Sequence, residues 1–223
     1  MTDLPAPATF AEASDAADPA PAARKRPRPG ERREQILQTL ALMLQEPGAE
    51  RITTAALAAR LGVSEAALYR HFASKAQMFE GLIEFIEGSV LALVQQITGR
   101  EPALGTTSAD DLMRQAARIV ALVLQFGERN PGMARVMVGD ALVLEHERLL
   151  ARMNQFFDRI ESSLRQCLRG ALQQQGSATP QVDAQVRAGV LVAFTQGRLQ
   201  RFTRTGFKKL PTEHLEASLA LML

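Results

Sequence analysis

The chain has 223 residues, 46% of them hydrophobic and 22% charged; this is apolar material for one large domain or two small ones and excludes a charge-dominated disordered chain. No run approaches the roughly 18 uninterrupted apolar residues of a membrane span, and the acidic, Pro- and Ala-rich start lacks the basic and apolar regions of a signal peptide. The net charge of +2 matters less than its distribution: residues 1–20 carry four acids and no base, residues 21–80 ten Lys and Arg against six acids, and the remainder sixteen against fourteen.

In chain order, residues 1–23 are low-complexity Ala, Pro and Asp with little to bury, and read as disordered. A basic arm follows, Arg24, Lys25, Arg26, Arg28, Arg32 and Arg33, with Pro27 and Pro29 keeping its first part extended. Residues 1–29 are therefore an acidic tail and basic arm, 30–75 a candidate DNA-binding domain and 76–223 a second helical domain. Ile36, Leu37, Leu40, Ala41 and Leu44 share one face at helical spacing, which predicts a helix from about Gly30 to Gln45, ended by Pro47 and Gly48. Thr53 or Thr54 caps a short helix over Ala55 to Leu61, and Ser64 caps another over Glu65 to Phe72. Ser74 with Gln77 makes the capping box of a long helix from Lys75 to about Thr98. After a Gly/Pro/Thr linker over 99–107, Ser108 with Asp111 opens a helix that Asn130-Pro131 terminates. Further helices are predicted over Met133 to Leu142, Val143 to Gln175 and Gln181 to Thr205, with a last one capped by Thr212. Period-2 alternation and hairpin dipeptides are absent, so the fold class is all-α. The single cysteine, Cys167, lies on an apolar stripe as a small buried hydrophobe and fits a reducing cytoplasm.

The segment from Thr53 to Phe72 has the parts of a helix-turn-helix. Ala55, Ala58 and Ala59 let two short helices cross closely, and Gly62 suits the left-handed turn between them. Val63, Leu68 and Phe72 point inward, which leaves Ser64, Glu65, Ala66, Tyr69 and Arg70, with His71 beyond them, on the side able to meet a major groove. Tyr69, the only tyrosine, offers a hydroxyl to phosphate; Thr53 and Lys75 are phosphate candidates from either side. Arg24, Lys25 and Arg26 can lie along the backbone or in the minor groove.

Ile52-Thr53-Thr54, Leu57-Ala58, Gly62-Val63-Ser64, Leu68-Tyr69, His71-Phe72 and Ser74-Lys75 resemble the N-terminal domain of TetR-type regulators. The blocks Leu82-Ile83-Glu84-Phe85-Ile86-Glu87 and Phe126-Gly127-Glu128-Arg129-Asn130-Pro131-Gly132 resemble, more narrowly, nucleoid occlusion factors of the SlmA type. That resemblance covers nearly everything from Arg32 onward. It implies a TetR-like fold, an N-terminal three-helix helix-turn-helix domain plus a C-terminal helical dimerisation domain. It also implies a function: bound to palindromic chromosomal sites, such a protein antagonises polymerisation of the tubulin-like division protein FtsZ and keeps the septum off the nucleoid. By the same resemblance FtsZ, including its C-terminal tail, meets Phe85, Arg129 and Asn130, and the protein is cytoplasmic and nucleoid-associated. One departure stands out: after Lys75 the fourth helix has no basic residue, where the family pattern includes an arginine.

Gly189, Ala193 and Gly197, spaced by four and flanked by Val190 and Phe194, form a narrow stripe where another helix can approach closely. With the amphipathic final helix, Leu215 to Leu223, this predicts a homodimer through a four-helix bundle, and hence a palindromic site, with more than one dimer per site allowed. The alternative of the same architecture is a ligand-responsive repressor, but without Trp, and with the one Tyr in the DNA-binding unit, no aromatic-walled pocket is legible. Enzymatic and metal readings fail on the residues: after His146-Glu147 the second-histidine position is Leu150, and there is no phosphate loop or nucleophile elbow. No cofactor is expected.

Overall fold

The computed structural model describes residues 30–46, 52–99 and 107–223, and among them all regular structure is helical. The chain runs through α1 (Glu31–Met43), α2 (Thr54–Leu61), α3 (Glu65–Tyr69), α4 (Lys75–Thr98), α5 (Ala109–Arg129), α6 (Pro131–Met137), a single 3-10 turn (Asp140–Leu142), α7 (Glu147–Gln174), α8 (Pro180–Arg204) and α9 (Leu215–Met222). The acidic tail and the arm residues Arg24, Lys25 and Arg26 lie outside the described residues. Arg32 and Arg33, read in sequence as the end of that arm, belong to α1.

Local chemistry accounts for most boundaries. At the start of α5, Ser108 Oγ accepts from the Asp111 N–H while the Asp111 carboxylate accepts from the Ser108 N–H, a complete capping box. The Ser108 hydrogen bonds, with Arg114, hold the Asp111 carboxyl below the ordinary carboxylate range. At α4 the box is displaced by one residue: Ser74 Oγ caps the Gln77 N–H, but Gln77 Oε1 accepts from Ala73 N at 2.8 Å. Pro131 supplies the first turn of α6, where its missing N–H costs nothing.

Three predicted boundaries are corrected: first, the helix read over Met133 to Leu142 is α6 over Pro131–Met137, followed after Gly139 by the 3-10 turn. The helix read from Val143 starts at Glu147, because Gly139 takes a left-handed backbone (φ 83°), residues to 145 turn, and His146 Nδ1 caps α7 by accepting from the Arg148 N–H. The last helix is not capped by Thr212, whose hydroxyl donates instead to the Glu128 carboxylate; α9 begins after His214.

One apolar core runs from Ile36 in α1 to Leu219 in α9, with α7 at its centre against α8, α5 and α4. Phe72, Phe79, Phe126 and Phe156 are fully buried in it, each contributing about 1.5–3 kcal/mol relative to exposure. Cys167 is buried beside Gln115, and burial pushes its thiol up to about 11. The helix-turn-helix joins this core at two places: α1 and α6 meet so closely that a Cβ on Gly132 would strike the Ala41 carbonyl, and α4 passes from one unit into the other. No helix of the described residues is long and apolar enough to cross a membrane.

Candidate nucleic-acid interface

Thr53 caps α2, its hydroxyl accepting from the Ala56 N–H at 3.1 Å. At the other end Gly62 adopts φ 64°, which lets its own N–H reach the Ala59 carbonyl and the Val63 N–H the Ala58 carbonyl, closing the helix in a Schellman turn. A Cβ at Gly62 would meet nothing within 4 Å, so the requirement for glycine is conformational. Ser64 then caps α3 by accepting from the Ala67 N–H.

Leu68 and Phe72 are buried, while Ser64, Glu65, Ala66, Arg70 and His71 are exposed and Tyr69 is 46% exposed. These residues line the outward side of α3 and its two ends, opposite the buried Leu68 and Phe72, as groove entry requires. The helix is a turn shorter than the sequence reading, ending at Tyr69. Two interactions hold its aim. Thr54 Oγ1 donates to the Glu65 carboxylate at 2.6 Å, tying α2 to α3. Arg33 stacks its guanidinium over the Phe72 ring at 4.2 Å and donates to the His71 carbonyl. Arg33 therefore positions the recognition helix rather than belonging to a free arm. No sequence periodicity announces a pair so far apart along the chain.

Lys75, beside this face, has a partner of its own. Its ammonium pairs with the nearly buried Glu145 carboxylate and lies near the Phe79 ring. A phosphate contact by Lys75 must therefore compete with Glu145.

Farther along α4, Phe85 is half-buried, its ring 6.1 Å from that of Phe126. Acidic Glu80, Glu84 and Glu87 line the seam with α7, where Arg148 pairs with Glu80 and Arg152 with Glu87 at 2.7 Å. The cations of this seam thus come from α7, not α4. Arg129 is exposed at the end of α5. Asn130 is different: it is 5% exposed, and its side-chain amide donates to the Phe126 carbonyl at 2.9 Å, which shapes the α5–α6 corner rather than presenting a surface.

On α8, Val182, Val186 and Val190 are more than half exposed, and Ala193 and Gly197 are exposed beside them. A Cβ at Gly189 or Gly197 would meet nothing within 4 Å, and Phe194 is half-buried under the Arg198 guanidinium. The expected dimerisation stripe is thus an uncovered apolar face. Leu221 of α9 is 89% exposed.

Comparison with known proteins agrees with this architecture. Residues 36–82 match the model of the bacterial regulatory proteins of the tetR family, and residues 110–223 match the SlmA-like model of the tetracyclin repressor-like C-terminal domain. The chain is 50% identical over 192 residues to the nucleoid occlusion factor SlmA of Idiomarina loihiensis, covering 86% of this chain and 93% of the relative. It is 49% identical over 192 residues to that of Vibrio cholerae, with the same coverage. Among solved structures, the MbdR regulator from Azoarcus sp. CIB superposes with a TM-score of 0.67 at 17% identity over 85% of this chain and 96% of that one. The FadR regulator of Bacillus subtilis, solved with stearoyl-CoA, gives 0.63 at 14% over 84% and 96%. The last two show the shared fold alone, whereas the sequence relatives are specific: the chain belongs to the SlmA family of nucleoid occlusion factors, within the TetR class of helix-turn-helix proteins.

Proposed function

We propose that this protein is a DNA-activated antagonist of FtsZ assembly, docking as a homodimer on palindromic chromosomal sites and so acting in the cytoplasm at the nucleoid. Thr53, Ser64, Glu65, Ala66, Tyr69, Arg70 and His71 meet the duplex, with Arg24, Lys25 and Arg26 reaching the backbone or minor groove. Thr53, Tyr69 and the cations position the protein on phosphate; Ser64, Glu65 and Arg70 can read base edges. The α8 stripe, Gly189, Val190, Ala193, Phe194 and Gly197, pairs with its two-fold copy and α9. Phe85 and Arg129 face the FtsZ tail, with Asn130 holding their corner.

The observation that carries this reading is that α4 is continuous from Lys75, beside the recognition helix, to Phe85 and beyond. Ten residues of helix separate the two by about 15 Å, so one rigid element spans the DNA face and the FtsZ-facing surface. Relatives of about 50% identity named for nucleoid occlusion favour this output over ligand-responsive repression. The test is binding of a fluorescent FtsZ tail peptide to wild type and to Phe85→Ala. Loss of binding with retained DNA affinity is expected; equal peptide affinity would place the tail elsewhere.

A further inference from the structure

The C-terminal end of α8 and the turn that follows it carry chemistry that neither the groove face nor the dimerisation stripe uses. Residues 198–210 hold five of the chain's 26 Lys and Arg and none of its 24 Asp and Glu, so the other residues together are net acidic. Arg198 is committed inward, donating to the Glu213 carbonyl and to Ser218 Oγ. Arg201, Arg204, Lys208 and Lys209 are exposed, and none enters an ion pair with a described residue.

This basic turn is built rather than loose. The Gly206 N–H reaches the Thr203 carbonyl and the Phe207 N–H the Phe202 carbonyl, closing α8 with a Schellman turn. Phe207 accepts a left-handed backbone (φ 65°), uncommon for a bulky side chain, and its ring packs edge-on against Phe202 at 5.1 Å and under Arg135 at 5.3 Å. The Lys209 N–H donates to Thr205 Oγ1. Four cations are therefore held on a preorganised corner.

Its place in the molecule favours one polyanion. Thr203 donates to the Asp140 carboxylate in the 3-10 turn, and a few residues after Asp140 stands Glu145, the partner of Lys75 beside the recognition helix. Five residues span at most about 18 Å, so the corner lies at the DNA-facing end of the molecule. Arg201 follows Gly197 by one turn and Arg204 lies below Val186 on the same side of α8, so a dimer formed through the α8 stripe brings two copies toward the two-fold axis. Like charges converging there raise the local potential and favour a polyanion between them. An anionic membrane would call for insertable apolar side chains beside the cations, whereas Leu210 is the one exposed large apolar residue of the corner.

We propose that Arg201, Arg204, Lys208 and Lys209 form a second, sequence-independent DNA contact, on duplex phosphates between the two half-sites. The proposal rests on the DNA-binding reading of the helix-turn-helix. Its test measures affinity of the full chain for palindromic and scrambled duplexes across a salt series, for wild type and for R204Q/K208Q/K209Q. Each phosphate that a cation ceases to neutralise takes about 0.9 off the slope of log K against log salt. On that scale the variant should lose about 2 to 5 from the slope, bind both duplexes more weakly, and keep its preference for the palindrome. An unchanged slope with intact palindrome binding would overturn the second contact and leave the helix-turn-helix reading standing; no duplex binding by wild type would overturn both. An equal loss in R159Q/R165Q/R169Q, three exposed cations of α7, would assign the effect to net charge and overturn the proposal. Weakened binding to phosphatidylglycerol vesicles with an unchanged DNA slope would do the same in favour of a membrane.

Discussion

Lys75 sits where two demands meet. Its ammonium is near enough to the recognition helix to serve a phosphate, yet in the free protein it is paired with Glu145, whose carboxylate is almost wholly withdrawn from water. Removing the acid leaves the lysine available. We expect Glu145→Gln to bind palindromic and unrelated duplexes alike more tightly, by about 1 kcal/mol, or roughly fivefold, because phosphate contacts carry no base information. Fluorescence anisotropy against both duplexes checks this, and unchanged affinity for both would mean that Lys75 never leaves Glu145. The pair also marks a limit of what sequence can reveal. Lys75 is legible as a cation at a helix start, but a partner 70 residues away leaves no local signal. The same holds for Arg33 on Phe72, while Thr53, Gly62 and Ser64 act through short-range bonds within their own turns and are legible in order.

At the scale of elements, caps and periodicity are local and fix where helices start and how they face. Thus α1, α2, α4, α5 and α8 lie where spacing and capping residues put them, within a few residues. Among the misreadings, the start at Val143 and the cap at Thr212 are decided by tertiary partners, Glu145 turned toward Lys75 and Thr212 drawn to Glu128, while the helices read to Phe72 and to Leu142 stop early, at Tyr69 and Met137. Asn130 belongs to the same class, polar by type yet buried by the corner it caps. At Gly132 α6 lies hard against α1, and the opposing atom is backbone and cannot rotate away. Gly132→Ala is therefore expected to lower stability by about 1–3 kcal/mol, the usual cost of overpacking, and to loosen the seating of the helix-turn-helix. Denaturant unfolding together with DNA affinity checks both. Wild-type stability would show that α1 shifts freely on α6.

At the scale of the whole molecule, the chain leaves one side of α8 bare, and the proposed DNA contact puts the basic corner at the same end as the recognition face. In the proposed dimer a two-fold copy covers the first and doubles the second. Val190→Asp would face one carboxylate with another in a dry interface, a pairing that costs several kcal/mol. Sedimentation velocity should show the dimer shifting to monomer, with palindrome affinity falling toward that of a single half-site; an intact dimer of wild-type affinity would move the interface elsewhere.

The proposed function requires that DNA occupancy switch on a surface that opposes FtsZ assembly. Its most direct measurement is the fraction of FtsZ pelleted with GTP in the presence of this protein, with palindromic duplex, with scrambled duplex and with none. A clear fall in pelleted FtsZ is expected only with the palindrome, and Phe85→Ala should abolish it; an equal pellet in all three conditions would contradict DNA-dependent antagonism.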